Sequence, residues 1–379
     1  MINLILSLAW AGAAPLPAAP PAPAASSPTI VLEGARPRPN LLELHARFVE
    51  ATDEPTRRSV LELLARTPPE TNRDVESIFD LFMRFTEPPV RKAVMSSLRL
   101  MDPGSQRLET TFISYLELPE NEAKIFGING ALRLRSRRAL PLIEKLAQQR
   151  FSHKSPGETP VLADRNTWWA QFEALSALAQ WQGAEVLPLL RRKADEAPAV
   201  ARLLGLYLWP QALPDIVKWA SASGPAAAEK AHEAFNADVP QADLRATRAR
   251  LVGLMNDPRS KRELRHQAAL KVGLCSTPEE VDALLAQEAA AANPETRLML
   301  RAALFATRNP RTVAWLKKLA ADDPEAKTRL GALIQLRLLL PAAEVRPLLE
   351  AAAARDADPD NRETTAEMLK APPAAPPEP

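Results

Sequence analysis

The side chains most often used in catalysis and metal binding are few and scattered in this sequence. The one cysteine is Cys275, and the four histidines are far apart, at His45, His153, His232 and His266. His266 and Cys275 lie nine residues apart, which supplies too few ligands for the four-coordinate zinc sites of proteins. Carboxylates are plentiful, but no pair stands out as an acid/base couple. We therefore expect no metal site, no cofactor and no catalytic residue.

Short catalytic motifs are also missing from the sequence. It contains no Gly-rich phosphate loop, no His-Glu-x-x-His zinc motif and no Gly-x-Ser-x-Gly nucleophile elbow. Glycine is scarce, at 12 residues, so loops that cradle phosphates are not expected. These absences favour a binding protein over an enzyme.

A tryptophan pair follows an unusually long connection between predicted helices. Residues 151–166 form this connection, and connections of such length often carry function. On a helix, Trp168 lies on the same apolar stripe as Phe172 and Leu175. We therefore expect Trp168 in the core.

Trp169 points away from that stripe, together with Glu173, Ser176 and Gln180. A tryptophan on a polar face beside a basic connection is a candidate for partner binding, because aromatic and arginine side chains often dominate binding energy. The basic residues near it are His153, Lys154 and Arg165. The alternative is that the connection folds back and covers Trp169.

Two basic stretches are further candidates for binding. One contains Arg133, Arg135, Arg137 and Arg138, and the other, residues 241–271, has a net charge of +5 and includes Arg245, Arg248, Arg262 and Arg265. On one concave surface they could hold an acidic protein segment or a polyanion. The alternative is a solvated face whose charges are neutralised by neighbouring acids.

The composition indicates helices. Hydrophobic residues make up 46% of the 379 residues and aromatic residues only 5%, and leucine and alanine, both strong helix formers, carry most of the apolar content. The net charge is +2, from 48 basic and 46 acidic side chains. This near balance gives no overall attraction to nucleic acid or to an anionic membrane.

One short motif recurs along the chain: an acid or Asn, then Pro, two variable residues and a basic residue. Its prolines are Pro55, Pro88, Pro258, Pro294, Pro324 and Pro359. Their spacings are 33, 170, 36, 30 and 35 residues, and 170 divides into five steps of 34, so the sequence repeats with a period near 33. Because Asp, Asn or Glu accepts from free N–H groups at a helix start and Pro fits the first helical position, each copy predicts a helix start.

The residues that follow each motif form an apolar helical face. The positions three and seven beyond the basic residue are apolar in eleven of twelve cases. Less regular units fill the middle, with second helices predicted at residues 123–134, 167–181, 199–208 and 225–235. One such helix pair exposes apolar surface that only stacking against neighbouring pairs can bury.

A helix, a short turn with Asp-Pro, then Arg and an apolar helix at this period resembles the HEAT repeat of bacterial armadillo/HEAT-like proteins. Residues 87–98, Glu-Pro-Pro-Val-Arg-Lys-Ala-Val-Met-Ser-Ser-Leu, are the best copy. The resemblance covers residues 40–370. It implies an all-α, right-handed α-solenoid of about ten helix pairs, whose second helices line the concave face.

The resemblance also implies a structural role for the acids and arginines of the motif. In HEAT repeats the turn acid and the helix arginine form ladders between neighbouring repeats. By this likeness the ladder residues are Arg58, Arg91, Asp257, Arg297, Asp323, Asp358 and Arg362.

The ends of the sequence differ from this array. Ile2 to Ala11 is a short apolar run that ends in the small residues Ala11-Gly12-Ala13, which is typical of a signal peptide over residues 1–13, although no Lys or Arg precedes the run. A Pro/Ala-rich linker over residues 14–39 follows, and the Pro-rich tail 371–379 is expected to be disordered. We therefore expect a periplasmic or secreted protein, or a cytoplasmic one if the leader is not a signal peptide.

The predicted function is a non-enzymatic scaffold that binds another protein or peptide in a concave groove. We expect no transmembrane segment, and the charge balance argues against nucleic acid as the partner. Two alternatives remain open. One is a HEAT-like enzyme, since that fold includes DNA glycosylases and bilin lyases. The other is a polyanion or nucleic-acid binder that uses the Arg-rich face.

Overall fold

The computed structural model describes residues 40–158 and 161–370. The predicted signal peptide, the Pro/Ala-rich linker and the Pro-rich tail lie outside the described residues. Within the described ranges the chain forms α-helices and short 3-10 turns and contains no strand.

In chain order the described helices are α1 Leu41–Glu50, α2 Glu54–Leu64, α3 Asn72–Arg84, α4 Pro88–Leu100, α5 Glu109–Glu117, α6 Asn121–Leu134, α7 Leu140–Gln148, α8 Leu162–Gln182, α9 Leu187–Glu196, α10 Ala201–Tyr207, α11 Trp209–Ser221, α12 Pro225–Phe235, α13 Gln241–Asn256, α14 Arg262–Leu274, α15 Pro278–Ala290, α16 Pro294–Ala306, α17 Val313–Asp322, α18 Ala326–Leu339, α19 Ala342–Arg355 and α20 Pro359–Lys370. Consecutive helices pack against each other in pairs over α1–α10 and over α13–α20. The all-α solenoid predicted from the sequence is therefore confirmed.

Helix starts follow the acid-proline chemistry at several positions. Before Pro55 the capping side chain is Asp53 and not Glu54, the acid of the motif: Asp53 accepts from the backbone N–H of Thr56 at 2.8 Å. Asn293 caps α16 in the same way, immediately before Pro294. Side-chain acceptors satisfy N–H groups that would otherwise lack partners at a helix start.

Two copies of the motif form a turn before the helix instead. After Asp257-Pro258, α14 begins only at Arg262, because Asp257 accepts from the backbone N–H of Arg259 at 3.0 Å and from the Ser260 hydroxyl at 3.0 Å. After Asp323-Pro324, α18 begins at Ala326. The motif therefore predicts a helix pair reliably and the first helical residue less well.

The chain divides into two compact units. Of the described residues, the first contains those up to Ala212 and Gly224–Asp238, and the second contains Leu213–Ser223 and residues 239–370. The first unit therefore holds α1–α10 and α12, and the second holds most of α11 and all of α13–α20. Each unit has its own buried apolar core, as stacked helix pairs require.

Aromatic rings fill the core of the first unit. Phe126 lies 5.8 Å from Phe112, 5.5 Å from Tyr115 and 5.2 Å from Phe79, measured between ring centroids. In the second unit the core around α17–α19 is aliphatic, with Leu316, Leu333, Leu336, Val345 and Leu349 buried.

Glycine allows successive second helices to pack closely. A methyl group at Gly205 of α10 would overlap the carbonyl oxygen of Ala234 in α12, and a methyl group at Gly273 of α14 would overlap that of Ala303 in α16. Only glycine leaves room for this approach.

The length and the apolar character of these helices bear on whether they could cross a membrane. None of those in residues 40–158 and 161–370 is both long enough and apolar enough to cross a membrane.

Candidate binding pocket of the first unit

The second helices of four consecutive pairs enclose a cavity in the first unit. Its walls come from α4, α6, α8 and α10, and its volume is about 370 Å3. Ligand pockets typically measure about 300–1,000 Å3. The cavity is therefore large enough for a small ligand or for one large side chain with its neighbours.

Apolar side chains form one part of the wall. Trp169 and Phe172 of α8 line the cavity, together with Met95, Ile125 and Leu206. The Trp169 ring is half-buried, and its centroid lies 5.1 Å from that of Trp168 and 5.7 Å from that of Phe172, both edge-on. These contacts hold the Trp169 ring in place in the cavity wall.

Four basic side chains also line the cavity: Arg91, Lys92, Arg99 and Arg202. The Arg91 guanidinium lies 4.7 Å from the centroid of the Phe82 ring, in a cation–π contact. Its buried Nε has no hydrogen-bond partner among the described residues. Burial lowers the pKa of Arg91, while the nearby Glu122 carboxylate opposes that shift, and the guanidinium stays protonated at neutral pH.

Glu173 is the one acidic side chain that lines the cavity. Burial raises the pKa of Glu173 to about 7, although the positive charge of Arg99 acts in the opposite direction. The Glu173 carboxyl group therefore changes its charge near neutral pH. A carboxyl group that titrates near neutrality inside a cleft is a frequent mark of a functional site.

Tyr207 closes the wall beside Glu173. Its hydroxyl accepts from Ser176 Oγ at 3.2 Å and from Gln180 Nε2 at 3.1 Å. Burial raises the pKa of Tyr207, so the phenol remains protonated and offers a donor to a ligand.

The helical face predicted for Trp169 is the face that forms this pocket. Trp169, Glu173 and Ser176 all line the cavity, and Gln180 binds the Tyr207 hydroxyl beside it. Trp168 is 2% exposed, which confirms its predicted core position.

The connection before this helix is shorter than the sequence suggested. α8 begins at Leu162, so Arg165 and Asn166 belong to its first turns and not to a loop. The backbone oxygen of His153 accepts from Trp168 Nε1 at 3.2 Å, which ties the connection to Trp168. Lys154 is exposed and Arg165 is half-buried, and neither lines the cavity.

The Arg-rich stretch lies in the second unit, apart from the cavity walls. Arg248 pairs with Glu280 at 3.1 Å, and the buried Arg265 pairs with Glu295 at 2.9 Å. Arg245 and Arg262 are exposed. Two of the four candidate arginines thus have acidic partners within the protein.

Ion pairs link neighbouring repeats in the second unit. Asp323 accepts from Arg301 at 2.8 Å, and Asp356 accepts from Arg329 at 2.6 Å. Of the residues predicted to form a ladder, Asp323 lies in this series, although its partner is Arg301 and not Arg297.

The other predicted ladder residues have local contacts. Asp257 and Asp358 accept backbone N–H groups at the next turn or helix start. Arg58 pairs with Glu62 of its own helix at 3.6 Å, and Arg91 lines the cavity. The ladder arginines are thus Arg301, four residues beyond the predicted Arg297, and Arg329, which was not predicted.

Several arginines also form hydrogen bonds to backbone oxygens at the turn within their own helix pair, which the motif did not predict. In four pairs an arginine near the start of the second helix donates to the backbone oxygen six residues earlier, at the turn between the two helices. These pairs are Arg57 to Ala51, Arg297 to Ala291, Arg329 to Asp323 and Arg362 to Asp356. Such bonds satisfy carbonyl groups that the end of the first helix leaves free.

Arg99, Arg202 and Tyr207 were not predicted from the sequence. A helical register would have found the first, because Arg91, Met95 and Arg99 recur every four residues on α4. The same spacing relates Arg202 to Leu206.

No group of three or more His, Cys, Asp or Glu in the described ranges could hold a metal ion, and Cys275 is buried.

Comparisons with known proteins add little to this description. No family model and no curated protein matches the sequence. Among solved structures, the chain is similar to Kap121p, in the crystal structure of Kap121p bound to Ste12p, with 14% sequence identity and a TM-score of 0.33. The match covers 87% of this chain and 40% of that one. The fold described above therefore stands on the helix pairs themselves.

Proposed function

We propose that this protein is a non-enzymatic scaffold of HEAT-like repeats that binds another protein or a peptide along the second helices of its first unit. The observation that carries the proposal is the cavity of about 370 Å3, whose lining includes Trp169 and four basic side chains. Buried aromatic and arginine anchors in a pocket are the usual centre of a protein-binding surface.

Repetition favours a peptide over a compact ligand. Each successive pair adds one second helix to the same surface, so the surface is extended along the stack. The cavity is then one anchor point within that surface. A groove of this type suits a segment of extended chain that inserts one side chain.

The proposal can be tested by selecting random peptides on the full-length protein and measuring their affinities by fluorescence anisotropy. We expect selected peptides to bind wild type and to lose at least about tenfold in affinity to Trp169→Ala. Trp181→Ala, at the other end of α8 and outside the cavity, is the matched control and should bind as wild type does. Circular-dichroism melts establish that both variants are folded. If the selected peptides bind Trp169→Ala as tightly as wild type, the proposed site is refuted.

An enzyme remains the second candidate, and one observation favours it. A HEAT-like DNA glycosylase is expected to combine basic, aromatic and acidic side chains on its concave face, and the cavity contains all three kinds, including Glu173. Only one carboxyl group lines the cavity, however, and this favours the scaffold. Release of alkylated bases from methylated DNA by wild type, lost in Glu173→Gln, would replace the scaffold proposal with this one.

The polyanion alternative has weaker support, since Arg248 and Arg265 already pair with Glu280 and Glu295. Binding of heparin that weakens steeply with salt and depends on Arg245 and Arg262 would restore it.

We also propose that the protein is exported. The support is the apolar run Ile2 to Ala11 with the small residues Ala11-Gly12-Ala13 after it. N-terminal sequencing of the protein from its native cells tests this. Cleavage after Ala13 is the expected result, and an intact leader would count against export.

A further inference from the structure

We propose that the segment bound in this pocket is acidic: it places carboxylates on Arg91 and Arg99 and an apolar side chain against Trp169 and Phe172. This inference rests on the proposed function and specifies the chemistry of the partner. The occupant is a peptide segment in which acidic residues flank an apolar one.

Arg91 has a guanidinium group that could bind a carboxylate. Its guanidinium lies over the Phe82 ring, and its Nε is buried without a hydrogen-bond partner. A buried, protonated donor without an acceptor is costly. The Arg91 side chain also lines the cavity, and a carboxylate is the ligand that best matches a guanidinium there, since it can accept two parallel N–H bonds from it.

The spacing along α4 gives the second step. Arg91, Met95 and Arg99 lie on one face of the helix, four residues apart. At 1.5 Å per residue the two arginines are about 12 Å apart along the axis. An extended peptide covers that distance in about four residues. Two acids three or four residues apart, with an apolar residue between them, therefore match Arg91, Met95 and Arg99.

Helix α8 supplies the surface for the apolar side chain of the peptide. Trp169 and Phe172 of α8 offer the apolar surface, and the Tyr207 phenol remains protonated beside them. Two carboxyl groups act against an incoming carboxylate: Glu122, which lies near Arg91, and Glu173 in the cavity wall, whose burial favours its neutral form below about pH 7. The balance of charge in the cavity, with Lys92 and Arg202 added at its edge, is thus positive.

The experiment uses the full-length protein and a phage library of random twelve-residue peptides. Each selected peptide is synthesised with its acids and again with the acids replaced by the corresponding amides. Both forms are titrated into wild type, Arg91→Met and Arg99→Gln. Arg150→Met, an exposed arginine outside the cavity, is the matched control. Arg99 lies at the exposed rim, so its variant remains informative if Arg91→Met fails to fold.

The expected result is an enrichment of peptides with two acids around a leucine or aromatic residue. The amide form should bind wild type about tenfold to a hundredfold more weakly. Arg91→Met and Arg99→Gln should each weaken binding of the acidic form, and replacing the acids should then cost little more, because the same contact is already lost. Arg150→Met should change nothing.

Three other results would overturn the inference, and they can be told apart. Peptides that depend on Trp169 but bind equally well as amides would refute the acidic partner and leave the scaffold standing. A failure to select any peptide that depends on Trp169 would refute the scaffold and the inference together. Binding of indole-3-acetate without any peptide would identify the occupant as a small carboxylate.

Discussion

Arg329 joins two neighbouring helix pairs of the second unit through Asp356. Its Nε donates to Asp356 Oδ2 at 3.0 Å and its Nη2 to Oδ1 at 2.6 Å, while Nη1 donates to the backbone oxygen of Asp323 at 2.8 Å. The Asp356 side chain is only 3% exposed. These hydrogen bonds hold the pKa of Asp356 well below its usual range. One arginine thus connects the turn of its own pair to the turn of the next.

Replacing Arg329 should destabilise the second unit. In Arg329→Met the buried Asp356 carboxylate loses its cation, and breaking a buried pair costs about 3–5 kcal/mol. We expect a loss of about 2–4 kcal/mol, measured by urea denaturation with circular dichroism, because the Arg329 side chain is still 12% exposed. Arg346→Met is the control. The side chains of Arg346 and its partner Glu350 are both largely exposed. We therefore expect the free energy of unfolding to change by less than about 0.5 kcal/mol. Equal effects of the two variants would contradict a structural role for the Arg329 pair.

The close approach of α14 and α16 gives a matched pair of glycine variants. Gly273→Ala should destabilise the protein by more than about 2 kcal/mol, because the added methyl group overlaps the Ala303 carbonyl oxygen and the helices must separate. Gly253→Ala is the control, since nothing lies within 4 Å of its added methyl group. Alanine is the better helix former, so Gly253→Ala should stabilise by about 0.5–1 kcal/mol. Thermal melts that shift in the same direction for both variants would contradict this packing.

The sequence predicts the helix pairs and the face of each helix, because periodicity and helix starts are local properties. This is why the sequence places Trp169, Glu173 and Ser176 on one helical face. The pocket itself depends on stacking, which brings together side chains as distant in the sequence as Arg91 and Arg202. No local pattern encodes that register.

The ion pairs between neighbouring repeats were also not predictable from local sequence patterns. Arg297 and Arg301 lie on the same face of α16, so which of them reaches Asp323 depends on the position of α16 along its axis relative to its neighbour. Tyr207 was missed for a different reason. It is the last residue of the seven-residue helix α10, where too few turns exist for a periodic signal.

Glu173 should lower the stability of the folded protein above neutral pH. Its pKa is raised from 4.5 to about 7 on folding. Between these values the unfolded chain has released the proton and the folded protein retains it, so stability falls as pH rises to about 7 and then levels off. Glu173→Gln, which cannot ionise, should therefore stabilise the protein at pH 8 by roughly 1–2 kcal/mol and have little effect at pH 4.5. Urea denaturation of both proteins across this range measures the difference. A difference that does not change with pH would contradict burial of the carboxyl group.

Binding of an acidic peptide should also weaken as pH rises through 7. The basic side chains that line the cavity with Glu173 are Arg91, Lys92 and Arg99 from α4 and Arg202 from α10. Arg99 and Tyr207 interact with Glu173 directly. Neither changes charge between pH 6 and 8, because the Arg99 guanidinium stays protonated and burial raises the pKa of Tyr207.

The peptide carboxylates are ionised throughout that range, so Glu173 is the group that titrates. We expect affinity to fall about three- to tenfold from pH 6 to pH 8 in wild type, because an ionised Glu173 repels the ligand. In Glu173→Gln the affinity should stay constant. Fluorescence anisotropy at fixed ionic strength measures both, and the amide form of the peptide is the control. A pH dependence that persists in Glu173→Gln would assign the titration to another group and remove Glu173 from the binding site.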